Sequence, residues 1–494
     1  MYKKSINRQL GLNDFDQPIG LKMDPGNRWI RKAAAIPWDR IEDKYANLFG
    51  SNVGNVAKPL RMALGSLIIQ KEYGFPDREL VEQLTENPYL QYFIGLPGYR
   101  AEAPFVPSLL VEFRKRLTAE IISDINEIII GGDDGDPAAG GDDGDPTAGG
   151  WEADGAGVEG GNAGTLILDA TCAPQDIRYP QDVSLLNEAR EKLDAMIDVL
   201  CRANGLPRPR TYRRKARRDY LSFAKAKKRG GKAVRKAIRQ MLQYVRRNRA
   251  HIRKMLDGGL VLGEKQLALL SVLDKLYEQQ KHMHDNKTHT VGDRIVSIGQ
   301  PHVRPIVRGK AAVPVEFGAK MELSMAGGYG RIEKISFDAY NEGGTLVDAV
   351  ERYREREGRY PERVLADKIY RNRDNLRYCG ERGIRLSGPA LGRPGKNAAA
   401  VRKQERTDGI DRIEVERAFS LAKRSYGLGL IRTRREDTTR SSIALSILVM
   451  NINRKARVLL SPFFRMAFSR FIHDVYTLTA RNIGIQRKTM PAVA

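Results

Sequence analysis

Three carboxylates stand at positions from which a fold could bring them together. Asp169 closes the apolar run Leu166-Ile167-Leu168, and Asp367 closes Val364-Leu365-Ala366. Each reads as a short buried strand that delivers one acid at its tip. In open sheets with parallel strands, reacting groups gather at the carboxyl ends of strands, so the two acids converge if their strands are neighbours. A third acid comes from the helix-patterned stretch RIEVERAFSLAKR, as Glu414 or Glu416. Arg412, Glu416 and Lys423 share one stripe of that helix. Glu414 points about 200° away from Glu416, so only one of them faces the site. Converging carboxylates repel one another, and burial worsens the repulsion. Divalent cations relieve it. Mg2+ takes hard oxygen ligands, and two ions about 4 Å apart can activate a water or a 3′-hydroxyl and stabilise the leaving oxygen of a phosphodiester. A strand-end aspartate taken alone is more often a turn or cap residue. The matching pair and the helix stripe are what favour the metal reading.

The elements that must position these acids can be followed along the chain. Residues 36–125 are helical by periodicity, with Pro76-Asp77 as a helix start and Asp77 as its cap. Short helices and tight turns suit a helix-turn-helix-like module, and a plain helical bundle fits the periodicity equally well. Residues 126–163 form an acidic Gly/Asp-rich linker in which GGDDGDP recurs; it lacks the apolar residues of a core. Such a tether could lie over a basic groove. Its Asp clusters lack the spacing and final Glu of a calcium loop. Helical pattern resumes from about Ser184 to Gln280. From Val291 the period falls to two, with DRIVSIGQ, VPVEFGAKMELSM and GRIEKISFDAY read as strands. GTLVDAVERYREREG is an amphipathic helix, RVLAD and IRLSG are strands, and the tail is mostly helical.

Charge identifies the partner class. The 494 residues hold 84 Lys+Arg against 60 Asp+Glu, a net charge of +24 and a pI near 9.9. Such an excess implies a polyanion, usually nucleic acid. Between Arg202 and Lys254 about twenty basic residues accompany a single acid, Asp219. Arg213, Arg214, Arg217, Arg218, Lys227, Lys228, Arg246 and Arg247 are the expected phosphate contacts of this segment, with tyrosines interleaved. Lys368 and Arg371, beside Asp367, are placed to contact the scissile DNA, with surface salt-bridging the alternative.

Other chemistries are less well supported. Cys172, Cys201 and Cys379 form no paired motif, which suits a reducing, cytoplasmic setting. The first residues lack a signal-peptide core, and the late apolar run is too interrupted to span a membrane. His282, His284 and His289 could bind a transition metal, but ordinary loop residues look the same. GPALGRPGKN lacks Walker spacing, so no ATP use is expected. No GxSxG occurs.

Longer stretches carry a family likeness. LILDATCAPQDIRYPQDVSLLNEARE, ADKIYRNRDNLRYCGERGIRLSGPALGRP and RIEVERAFSLAKRSYGLGLIRTRREDTTRSSIALSILVMNINR resemble the first-Asp, second-Asp and Glu segments of DDE transposases of the insertion-sequence-five type. PWDRIEDKYANLFG through FRKRL resembles the N-terminal domain common in these elements. The likeness covers nearly the whole chain apart from the acidic linker and the extreme termini. It implies a mixed α/β (α+β) chain with a ribonuclease H-like catalytic domain (164–183 and 288–470), a helical N-terminal DNA-binding domain (36–125) and a basic helical insertion (184–287). Residues 1–35 are then an arm and 471–494 a tail. It implies Asp169, Asp367 and Glu416 as catalytic metal ligands for two Mg2+ or Mn2+ ions. Arg412 and Lys423 keep the signature spacing and hold DNA; the signature Tyr is replaced by Gly409. The implied activity is cleavage at terminal inverted repeats and strand transfer into target double-stranded DNA, by a homo-oligomer associated with the nucleoid and no membrane. A nuclease of the same fold without strand transfer, or an inactive DNA-binding derivative, are the rival readings.

Overall fold

The computed structural model describes residues 11–18, 22–46, 57–131, 161–307, 315–388 and 398–458. Residues 132–160 of the acidic linker, most of the GPALGRPGKN loop and the 471–494 tail lie outside them. The chain is mixed α+β, with one mixed sheet and many helices.

Among the described residues seven α-helices precede the sheet: α1 (Arg28–Ala35), α2 (Trp38–Ala46), α3 (Leu60–Tyr73), α4 (Asp77–Glu86), α5 (Pro88–Phe93), α6 (Leu109–Arg116) and α7 (Ala119–Ile130). Side chains satisfy the open N–H groups at several starts. Asn27 caps α1, Asn87 caps α5 with Pro88 in the first turn, and Thr118 caps α7. Asp77 does not cap α4, contrary to expectation. Pro76 holds the cap position, and Asp77 is drawn sideways to Arg114 and to Gln70, 2.9 Å away. Phe15, Met23 and Trp29, from the segment read as an arm, are buried in the same core as α3.

Strand β1 (Thr165–Pro174) follows the linker, and four helices come next: α8 (Asp182–Ala203), α9 (Arg213–Lys225), α10 (Gly231–Asp257) and α11 (Glu264–Asp285). They build a core of their own from residues such as Leu193, Ile197, Val245 and Leu276. DRIVSIGQ is not a strand. Ile295 and Ile298 instead pack into this helical core, so the insertion reaches about ten residues beyond the expected boundary at 287.

The remaining elements are β2 (Arg304–Val307), β3 (Val315–Ala326), β4 (Tyr329–Ser336), α12 (Leu346–Glu357), β5 (Arg363–Ala366), α13 (Arg373–Glu381), β6 (Arg385–Leu386), α14 (Ala398–Ser425) and α15 (Glu436–Val458). The sheet order is β2-β3-β1-β5-β6, with β4 also on β3. β1, β3 and β4 pair antiparallel, whereas β1, β5 and β6 run parallel. Gly327 and Gly328 turn the β3–β4 hairpin with positive φ; a side chain at Gly328 would also run into Arg454.

Alternation along the strands gives the sheet two covered faces. Leu166, Leu168, Val364 and Ala366 face α12 and α13, with Val350, Tyr370 and Cys379. Ile167, Leu365, Leu323 and Met325 face α14 and α15 and belong to a core that continues without interruption into α1–α7.

Candidate active site

Asp169 does not end its strand. β1 continues to Pro174, paired with β3 throughout. What ends at this level is the parallel partner: Leu168 is matched with Ala366, and beyond that pair β5 stops. Asp169 and Asp367 are therefore the next step of the register on adjacent strands about 5 Å apart. Both follow Ile167 and Leu365 by two residues, which aims both carboxyls at the face covered by α14.

The phase of α14 is fixed from both sides of the sheet edge. Arg363 on β5 donates to Asp411 at 2.8 Å, and Arg385 on β6 holds Asp408 through two bonds of 2.6 and 2.8 Å. Burial alone would raise the Asp408 carboxyl; the bonds from Arg385 and Gln404 and the charge of Arg363 outweigh it and leave the group below its ordinary value. Val415, Ala418, Phe419 and Ala422 then fill the core. That phase leaves Arg412 and Glu416 on the flank beside the aspartates. Glu414 points elsewhere, into partial burial near Arg454, and burial raises its carboxyl.

Arg412 joins the acids. One guanidinium nitrogen lies 3.4 Å from Asp367 and another 3.9 Å from Glu416. These contacts are long and open to solvent, hence weak. Asp169 is half-buried and its carboxyl is raised, first by burial, then by the charges of Glu342 and Asp367; the N–H of Ala170 and the charge of Arg412 oppose the shift. Asp367 also performs the common duty of a strand-end aspartate, accepting the Lys368 N–H at 2.7 Å to cap the turn Lys368–Tyr370. Among the described residues no three His, Cys, Asp or Glu side chains stand close enough to hold a metal ion in this arrangement. The donor chemistry nonetheless suits a hard cation: Arg412 links the carboxylates of Asp367 and Glu416, and the half-buried Asp169 has Glu342 and Asp367 as charged neighbours. His282 and His284 are occupied with Asn286 and Asp285, each at 3.0 Å.

The other sequence-designated residues separate into two groups. Lys423 lies two helical turns beyond Glu416 on α14, about 10 Å along the axis. Lys368 is exposed beside Asp367, as are Arg214, Arg217, Arg218, Lys227, Lys228 and Arg246 on the insertion. Arg371 is turned inward, donating to the carbonyls of Leu386 at 2.6 Å and Ser387 at 3.2 Å. Arg213 is bound to Asp198 at 2.6 Å. Each of these two thus commits part of its guanidinium to holding the fold.

Two acids near the site carried no local signal. Glu342 lies in the turn before α12, 2.7 Å from Lys320. Glu322 is fully buried on β3 beside Ala170, where Tyr370 donates to it at 2.8 Å and Thr345 donates as well. Tyr370 ends the turn that Asp367 begins, so Glu322 braces that turn from the far face of the sheet.

Comparison with known proteins adds the family. Residues 364–453 match the Transposase DDE domain and residues 19–116 match the Transposase domain (DUF772). A Rhizobium meliloti protein, "Uncharacterized protein ORF8 in nfe locus", is 29% identical over 116 residues, which is 23% of this chain and 56% of that relative's length. No solved structure matches.

Proposed function

Since the chain carries the two domains of an insertion-sequence-five-type DDE transposase, we propose that it cuts DNA at the inverted-repeat ends of its element and joins the ends to target DNA. The observation that carries this reading is the shared register level of Asp169 and Asp367, with Glu416 on the flank of the helix packed over both. The β4-β3-β1-β5-β6 order, antiparallel then parallel, supports a ribonuclease H-like fold for the catalytic domain.

Asp169, Asp367 and Glu416 would hold Mg2+ or Mn2+, two ions in the full site. Bound there, the cations offset the repulsion of the acids and supply Lewis acidity for phosphodiester hydrolysis and transesterification. The chain's own residues do the positioning. β1 and β5 fix the two aspartates on a rigid mount, and the Arg363 and Arg385 ion pairs fix the helix that brings Glu416. Arg412, loosely shared between Asp367 and Glu416, can exchange those carboxylates for the phosphate of an incoming end. Lys423, on the same stripe, extends the cationic track along the strand. The N-terminal helices and the basic insertion hold the repeat and its flanking duplex, and two copies bring two ends together.

The test uses the full chain, Mg2+ and a duplex carrying the repeats that flank its coding region. Cleavage followed by joined product is the expected result. Cleavage of the duplex with no joining of pre-cut ends would leave a nuclease. An absence of cleavage in Mg2+ and Mn2+, or cleavage unchanged by Asp169→Ala, would leave a DNA-binding protein without this chemistry.

A further inference from the structure

Tyr212, at the head of α9, occupies the left-handed region with φ 57° and ψ 29°. Tyrosine rarely adopts this conformation, and glycine would hold the turn without strain. Backbone outliers of this kind persist where the surroundings over-determine them, often at functional positions. The residue is 38% exposed. The Arg210 guanidinium lies 4.7 Å from its centroid and that of Arg247, from α10, lies 4.5 Å from the same centroid.

Several neighbouring arginines are held by acids. Arg208 meets Asp198 at 3.0 Å, Arg213 meets Asp198 at 2.6 Å, Arg190 meets Asp194 at 2.7 Å, and Arg249 is held by Asp274 and Glu278. Asp219, the one acid between Arg202 and Lys254, accepts the Tyr244 hydroxyl at 2.8 Å. Among the described residues Arg210 and Arg247 have no acid within ion-pair distance. Two guanidinium groups ordered on one ring thus keep their donors available, with much of their conformational entropy already lost.

We propose that Arg210 and Arg247, held on Tyr212, form a preformed fork for a backbone phosphate of duplex DNA, with Tyr212 as its positioning residue. A phosphate suits the fork because its closely spaced oxygens accept paired guanidinium donors. A polyanion suits the setting because exposed Arg214, Arg217, Arg218 and Arg246 continue the positive surface. The proposal rests on the reading of the chain as a DNA-acting protein, and it adds a defined contact within the insertion.

The test measures binding of a fluorescein-labelled random-sequence duplex to the full-length protein by anisotropy across a salt series. Tyr212→Phe keeps the ring and should bind as wild type. Tyr212→Gly removes the ring while relieving the backbone, and should weaken binding by about three- to ten-fold. Arg210→Lys with Arg247→Lys keeps the charge, so the salt slope should stay while affinity falls; alanine at both should also flatten the slope. Wild-type affinity in both Tyr212→Gly and the double lysine variant would overturn the fork while leaving DNA binding intact. A wild-type protein that does not bind the duplex would overturn the DNA reading itself. Melting curves on each variant separate lost binding from lost folding.

Discussion

Asp169 and Asp367, separated by the whole helical insertion in sequence, each follow directly on the paired Leu168 and Ala366, Asp169 within β1 and Asp367 just past the end of β5. Asp169→Asn, Asp367→Asn and Glu416→Gln should each lower Mg2+-dependent cleavage on the order of a thousand-fold. Duplex binding should be retained, as read by anisotropy. Glu414→Gln, on the opposite side of α14, should leave cleavage within a few-fold of wild type.

On the insertion, exposed cations stand apart from cations committed to ion pairs within the fold. Arg217→Ala, Arg218→Ala or Arg246→Ala should each reduce the salt slope of duplex binding by about one phosphate contact. Arg213→Ala should leave the slope unchanged and lower Tm, because its partner is Asp198. A titration of affinity against salt for the four variants checks both halves.

Lys71, on α3, places its Nζ between Ser442 at 2.8 Å and Ser446 at 3.1 Å on α15. Burial, aided by the charge of Arg114, pushes the ammonium from 10.5 down to about 7. Between those values the unfolded chain binds more protons than the folded one, so stability rises with pH across the window. Lys71→Met should therefore raise Tm most below pH about 7, and its advantage should shrink towards pH about 10. Melting curves at several pH values give the sign directly.

Glu322 gives the opposite slope. Burial raises its carboxyl, the charges of Glu333 and Glu342 add to the rise, and the Thr345 and Tyr370 hydroxyls only partly offset it. The fold thus favours the protonated form, and stability falls as pH rises from the ordinary glutamate value through the raised one. Glu322→Gln, which retains an acceptor for both hydroxyls, should equal wild type in acid and exceed it in Tm at neutral pH. Tm measured on both sides of the window decides this.

A Cβ at Gly409 would meet nothing within 4 Å, and the position is exposed. A glycine inside a helix costs about 1 kcal/mol relative to alanine. Gly409→Ala should raise the unfolding free energy by about that amount, measured by urea titration, with cleavage unaffected. Gly409→Tyr should be accommodated as well, and it should tighten binding of element-end DNA.

Much of this architecture was legible because it depends on local pattern. A short apolar run marks β5, and the helix stripe separates Glu416 from Glu414 without reference to the sheet. Ile295, Val296 and Ile298 make a strand-like apolar run, yet Ile295 and Ile298 pack into the insertion core, and local pattern does not reveal what lies opposite. The end of β1 was misplaced for a related reason. Ala170, Ala173 and Pro174 are poor strand formers, and pairing with β3 on one side sustains the strand through them. Glu322 and Glu342 had no local mark, because their significance comes from residues on other strands and turns.

The N-terminal helices and the α14–α15 face of the sheet bury a single continuous apolar core. The first domain is thus no tethered gripper free to wander over the double helix. Whatever it grasps sits at a set reach from Asp169, as between the jaws of a calliper, so the place of the cut would be counted in base pairs from the hold.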